Sequence, residues 1–207
     1  MPPAWRPMND MKKLVIASGN AGKLREISHL LAPLGIEALP QSAFSVTETD
    51  EPHSTFVENA LAKARHACEC TGLPSLADDS GICANALNGN PGVLSARYAG
   101  EPRSDDRNNL KLVSALRDRT DRSAYYYCVI VLMRHPADPQ PIIAEGSWQG
   151  EIIMEPRGRG GFGYDPFFFL RELGQTAAEL PMEQKNRISH RGKTLARLID
   201  RLMEKNR

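Results

Sequence analysis

The sequence predicts an α/β fold built on a mixed β-sheet, and three observations lead there. Strand-like and helix-like patterns alternate at the start of the chain. Adjacent strand-like runs in the middle suggest hairpins, which a purely parallel sheet does not contain. The 207 residues, 41% of them apolar, are enough to bury a full core in one large domain. Residues 1–10 carry three prolines and no apolar period. They read as a loose tail ahead of one domain spanning residues 11–207.

Taken in order, Lys13-Leu-Val-Ile-Ala17 is a short β-branched strand. It runs into the turn Ser18 to Lys23 and then a helix with Leu24, Ile27, Leu31 and Leu34 on one face, ended by Gly35. Ile36 to Leu39 predicts a second strand, followed by a polar, acidic loop through Ser54. Thr55-Phe-Val-Glu58 is a capping box, so it opens a helix that turns Val57, Leu61, Ala64 and Cys68 inward and stops at Gly72-Leu-Pro74. Ser75 to Gly81 predicts a short strand breaking into a turn, and Asn88 to Gly92 a loop. Ser104 caps a helix carrying Leu110, Val113 and Leu116. Tyr125 to Met133 is the strongest strand pattern; Pro141 to Ala144 and Trp148 to Met154 predict a strand pair around Gly146. Gly158 to Asp165 is a glycine-rich loop, Pro181 begins a short helix, and Leu195, Leu198, Ile199 and Leu202 line a C-terminal helix.

Composition narrows the function. With 26 Lys and Arg against 25 Asp and Glu the net charge is +1, so the overall field selects neither nucleic acid nor anionic membrane, and any phosphate binding must be local. Cys68, Cys70, Cys83 and Cys128 make no zinc-ligand spacing and read as reduced, structural thiols. The chain offers no apolar run of membrane-spanning length and no signal-peptide pattern, which gives a cytoplasmic expectation.

Four stretches carry candidate chemistry. Ser18-Gly-Asn-Ala-Gly-Lys23 lies between strand and helix, where backbone amides and the helix N-terminus suit an anion and Lys23 adds a point charge. It lacks the spacing and hydroxyl residue of a P-loop, and a tight turn with a solvated lysine fits equally well. Asp78 and Asp79 sit at the predicted strand end. Adjacent strand residues face opposite ways, so one of them, Asp79 as the residue nearer the turn, aims into a cleft as metal ligand, and Asp78 supports it or is an auxiliary ligand. An Asx turn explains the pair without chemistry. Glu48, Asp50 and Glu51 form a second acidic loop, while Glu58 is accounted for by its capping role. Gly160 to Phe168 joins backbone freedom to aromatic planes and the Asp165 carboxylate, and can wrap a purine or close a hairpin corner. Lys185 to Arg191 concentrates hydrogen-bond donors that can grip phosphate or a purine carbonyl, or merely end a helix.

In this order SGNAGK, FVENALAKA, LADDSG, PGVLSARYAG, GGFGYDPFF and KNRISHRG resemble the inosine/xanthosine triphosphate pyrophosphatase family of house-cleaning enzymes, from about Lys12 to Leu202. The resemblance implies an elongated two-lobed α/β fold, its long mixed sheet flanked by helices and its active cleft between the lobes, in a homodimer. It implies magnesium-dependent cleavage of ITP, dITP and XTP to the monophosphate and pyrophosphate, which removes deaminated purines from the nucleotide pool. Carried onto this chain, Ser18, Gly19, Asn20, Ala21, Gly22 and Lys23 bind phosphates, with Lys23 also catalytic. Asp79 is metal ligand and general base, with Asp78 and a loop glutamate, Glu51 by its distance from Thr55-Phe56, beside it. Ser80 contacts substrate, and Phe162, Gly163, Tyr164, Asp165, Lys185, His190 and Arg191 complete the nucleotide site. Lys185, His190 or Arg191 can donate to the 6-keto oxygen of inosine and xanthine, where adenine presents an amino group.

Two rival readings remain. One is a nucleotide sensor or single-stranded RNA binder with Tyr125, Tyr126 and Tyr127 as stacking platform, weakened by alternating strand faces and the near-zero charge. The other is a pyrophosphatase for pyrimidine or modified nucleotides on the same fold.

Overall fold

The computed structural model describes residues 12–47 and 49–204; the expected tail and Glu48 lie outside them. Seven strands among the described residues form one sheet. They are β1 (Lys13–Ile16), β2 (Glu37–Pro40), β3 (Ser75–Ala84), β4 (Ser123–Met133), β5 (Ile142–Ile152), β6 (Phe168–Leu170) and β7 (Gln175–Thr176), in the order β2-β1-β3-β4-β5-β6-β7. β1 runs parallel to β2 and β3, whereas β5, β6 and β7 pair antiparallel, so the sheet is mixed, as expected. The helices are α1 (Ala21–Leu31), α2 (Phe56–Thr71), α3 (Asp105–Leu116), α4 (Met182–Ile188) and α5 (His190–Glu204).

The chain forms two compact units, Met1–Asp79 with Val129–Glu145 and Thr194–Arg207, and Ser80–Cys128 with Gly146–Lys193. In the first, α1 packs on β2 and α2 on β1, burying Leu14, Val15, Ile16, Ile27, Leu31, Ala60 and Ala64. In the second, Leu112 and Leu116 of α3 join Ile82, Tyr126, Trp148, Tyr164 and Phe168 in a separate core. Burying each such leucine contributes about 1.5–3 kcal/mol.

Several expectations need correction, each for a physical reason. α1 ends at Leu31, because Pro33 in the next turn has no amide to donate, and Leu34 is left exposed. On α2 the inward face is Asn59, Ala60, Ala64, Ala67 and Cys68, with Val57 exposed and Leu61 half-buried; small residues allow the helix to lie close to the sheet. On α3, Leu110 faces solvent and Asn108, Asn109, Leu112 and Leu116 face in. β5 passes straight through Gly146, alternating buried Ile142, Ala144, Gly146 and Trp148 with outward Glu145, Ser147 and Gln149.

The correction with most bearing on function is β3. It runs unbroken for ten residues through Asp78, Asp79 and Gly81, with no turn where one was expected. Gly81 serves close packing instead: a Cβ there would lie 2.3 Å from the Gly92 carbonyl oxygen and 2.5 Å from Ser95 Oγ. The Asx-turn reading of Asp78-Asp79 therefore falls, and strand alternation alone sends the two carboxylates to opposite sides.

Candidate functional site

The first unit gathers its charges around the middle of β3. Asn20 caps α1, its Oδ1 accepting from Gly22 N at 2.9 Å and Lys23 N at 3.0 Å, while Asn20 N donates to Ser18 Oγ at 3.2 Å. The turn thus satisfies two amides of its own helix, and Gly19, Asn20 and Ala21 stay exposed. Lys23 reaches from α1 to Asp78, with Nζ 2.6 Å from an oxygen of its fully buried carboxylate. Asp78 is thereby matched by a lysine.

Asp79 is matched by another. Lys63 Nζ lies 2.9 Å from Asp79 Oδ1, 2.8 Å from Glu51 Oε1 and 2.9 Å from the Asp78 carbonyl oxygen, which uses all three ammonium protons. One helical turn earlier, Asn59 Nδ2 donates to Asp79 Oδ2 at 3.4 Å and to the His53 carbonyl at 3.2 Å, and Asn59 Oδ1 accepts from His53 N at 3.1 Å. Two residues of α2 spaced i and i+4 thus fix the acidic loop so that Glu51 meets Asp79.

Burial pushes the Asp79 carboxyl above the usual aspartate range, more than the Lys63 and Lys23 charges pull it down. Burial works against the Lys63 charge, but Asp79 and Glu51 outweigh it and raise Lys63 above its ordinary value. A carboxylate whose proton affinity is raised in a polar pocket is suited to accept a proton near neutral pH. Of the other loop acids, Asp50 is exposed. Glu58 caps α2, with Thr55 Oγ1 accepting from its amide at 3.4 Å and donating to its carboxylate at 2.5 Å.

No group of three or more His, Cys, Asp or Glu side chains among the described residues forms a ready metal cage. Magnesium, however, typically takes only one or two protein carboxylates and completes its shell with water and phosphate oxygens. Glu51 and Asp79 come from separate segments yet converge on one cationic point, the Lys63 ammonium, and their hard oxygens are the donor type magnesium requires.

The second unit gathers donors and rings. Gly161 adopts a left-handed φ of 73°, and a Cβ there would lie 2.1 Å from Asp165 Oδ2, so only glycine lets the loop fold onto that carboxylate. Asp165 Oδ2 accepts from Phe162 N at 2.9 Å and from Lys185 Nζ at 2.6 Å; Oδ1 accepts from the Tyr126 hydroxyl at 3.2 Å. Burial, then the Asp165 charge, hold the Tyr126 hydroxyl protonated far into the alkaline range, so it remains a donor. The Lys185 ammonium stands 4.9 Å and the Arg191 guanidinium 5.8 Å from the centre of the Phe162 ring.

Arg191 Nη2 also donates to Ser80 Oγ at 3.0 Å, and the His190 ring stacks on Tyr126 with centroids 4.6 Å apart. Lys185, His190 and Arg191 are all buried, which excludes the reading of a solvated basic helix end. Tyr164 lies in the core with its hydroxyl donating to the Ser95 carbonyl at 2.8 Å. Tyr126 likewise faces the core, while Tyr125 and Tyr127 are half-buried on the other side of β4, so the tyrosine run offers at most two rings on one face.

Lys63, Asn59 and Tyr126 were not singled out from sequence as site residues. Lys63 and Asn59 stand four apart in FVENALAKA beside a face of alanines, a polar pair that helix spacing could have flagged. Tyr126 was read only as part of a stacking platform, not as a partner of Asp165.

Residues 14–201 match the family model described as Ham1 family. The chain is 73% identical over 194 residues to a dITP/XTP pyrophosphatase of Nitrosomonas europaea, covering 94% of this chain and 96% of that protein. It is 62% identical to a protein of the same name from Aromatoleum aromaticum, over 92% of this chain and 96% of that protein. Among solved structures, a HAM1 protein from Coxiella burnetii superposes with a TM-score of 0.86 at 52% identity, covering 94% of this chain and all of that one.

Proposed function

The chain belongs to the Ham1 family, and from that premise we propose that it hydrolyses non-standard purine nucleoside triphosphates. ITP, dITP and XTP are cleaved to the nucleoside monophosphate and pyrophosphate, which removes deaminated purines from the nucleotide pool. The observation that carries this reading is the convergence of Glu51 and Asp79 on Lys63 around a buried strand, a built arrangement of charges of both signs.

Glu51 and Asp79 would hold magnesium, which when bound supplies positive charge to phosphate oxygens as they become more negative, while Asp78, on the other side of β3, supports the site through its pair with Lys23. Asp79 accepts the proton of the water that attacks the α-phosphorus, and pyrophosphate leaves. Lys23 and the turn Ser18 to Gly22 hold the phosphates, and the positive charge of Lys23 offsets the charge that develops there. The purine lies against Phe162, with Lys185, His190 or Arg191 as donor to its 6-keto oxygen and Ser80 and Asp165 in support. A 6-amino purine would leave a buried donor unmet, at a cost of about 1–3 kcal/mol. The protein works in the cytoplasm as a homodimer, a proposal supported by the family resemblance. No helix among the described residues is long and apolar enough to cross a membrane.

One assay tests the core of this. Pyrophosphate release is measured from ITP, dITP, XTP, ATP, GTP, dUTP and TTP with magnesium, then with the metal chelated. Preferred release from the first three, abolished by chelation and restored by magnesium, is the expected result. Preference for dUTP or TTP would move the assignment to pyrimidine nucleotides, and unchanged release under chelation would end the magnesium proposal.

A further inference from the structure

We infer that Asp105 and Asn109 of α3 are positioning residues that hold the loop carrying Phe162 and Asp165, and through it set the purine preference. This rests on the purine site proposed above. Both peptides that flank Gly163 are held: its N–H donates to Asp105 Oδ2 at 2.8 Å, and its carbonyl accepts from Asn109 Nδ2 at 2.9 Å. The two side chains stand one turn apart on α3 and so share a face. Packing does not hold Gly163, for its φ is 62° and nothing lies within 4 Å of where a Cβ would sit. Hydrogen bonds from α3 fix these peptides instead.

Phe162 is therefore tied twice, by its own amide to Asp165 and by the following peptide to α3. The helix itself is anchored by Leu112 and Leu116, both completely buried, which gives the grip a rigid base. Asn109 is buried, yet its Oδ1 has no hydrogen-bond partner among the described residues. A leucine would avoid that unsatisfied oxygen, so the position favours stability less than it favours the one bond to Gly163. This separation of roles makes the inference testable.

The experiment compares wild type with Asn109→Leu, Asp105→Ala and Asp105→Asn, and with Phe162→Ala and Lys185→Met as controls, all in the full chain. Asn109→Leu should melt within a few degrees of wild type, raise KM for ITP about tenfold and change kcat less than about threefold. The ratio of kcat/KM for ITP over ATP should fall with it. Asp105→Ala should shift both in the same direction by less, and Asp105→Asn, which keeps an acceptor, should restore them. Amide hydrogen exchange across residues 160–165 should quicken in Asn109→Leu and Asp105→Ala without nucleotide. Unchanged exchange, or quickened exchange with unchanged KM and substrate ratio while the two controls shift both, would overturn the inference. If the controls leave KM and the ratio unchanged as well, the purine-site reading fails and the α3 grip loses its functional role with it.

Discussion

The two charged clusters solve the problem of burying charge in opposite ways. In the first unit three carboxylates, Glu51, Asp78 and Asp79, meet two ammonium groups, those of Lys23 and Lys63, and the surplus is negative. In the second unit the Asp165 carboxylate meets the Lys185 ammonium, and the Arg191 guanidinium stands with it beside the Phe162 ring. A negative surplus in hard oxygens suits a small divalent cation and the phosphates it brings. N–H donors beside aromatic planes suit a flat, neutral ring with carbonyl oxygens. The two clusters can therefore be told apart by the groups they present, hard carboxylate oxygens in one and N–H donors beside rings in the other.

Separating the clusters by mutation breaks or sharpens this comparison. The largest effect is expected at Asp79: Asp79→Asn should lower turnover of ITP by about 10³-fold, because under the proposed function it removes a proton acceptor and a magnesium ligand together. Lys185→Met should mainly raise KM and cut the ITP over ATP preference by about 10–100-fold. Steady-state kinetics on both nucleotides read the contrast, and equal losses of kcat in the two variants would erase it.

Next comes Lys63→Met, which strands Asp79 and Glu51 without their shared cation and should cost about 3 kcal/mol in chemical denaturation at neutral pH. The double variant with Asp79→Asn should lose clearly less than the two single losses added together, since the residues couple directly. The pH dependence has a definite sign. Lys63 is raised in the folded protein, so its contribution is full below its ordinary 10.5 and is lost as pH rises through the folded value. Lys63→Met should remove that alkaline loss.

The smallest effect serves as a control on a pair with no proposed chemistry. Burial works against the Asp138 charge, but hydrogen bonds from the Arg134 guanidinium and from the Arg134 and Gln140 amides hold its carboxyl down to about 2. Its stabilisation is therefore full above the ordinary 3.8 and fades as pH falls toward 2. Asp138→Asn should cost about 1–2 kcal/mol at neutral pH, flatten the acid limb of the denaturation curve, and leave ITP turnover unchanged.

Sequence by itself determined the fold class, most strands and the starts of α2, α3 and α4, because these follow from short-range periodicity, capping residues and proline. It also delivered the ordered motifs whose residues line both clusters, Lys23, Asp79, Asp165, Lys185 and Arg191 among them. Three things lay beyond it. The continuity of β3 through Gly81 and of β5 through Gly146 depends on what packs against a glycine, which local propensity does not contain. The face of α2 was misjudged because the close approach of alanines, and not the size of Val57 and Leu61, chose it. The partners of each charge, Lys63 with Asp79 and Glu51, or Tyr126 with Asp165, join residues 12 to 39 positions apart. Only the tertiary fold brings such groups within hydrogen-bond reach, where electrostatic terms become strong enough to set protonation and roles.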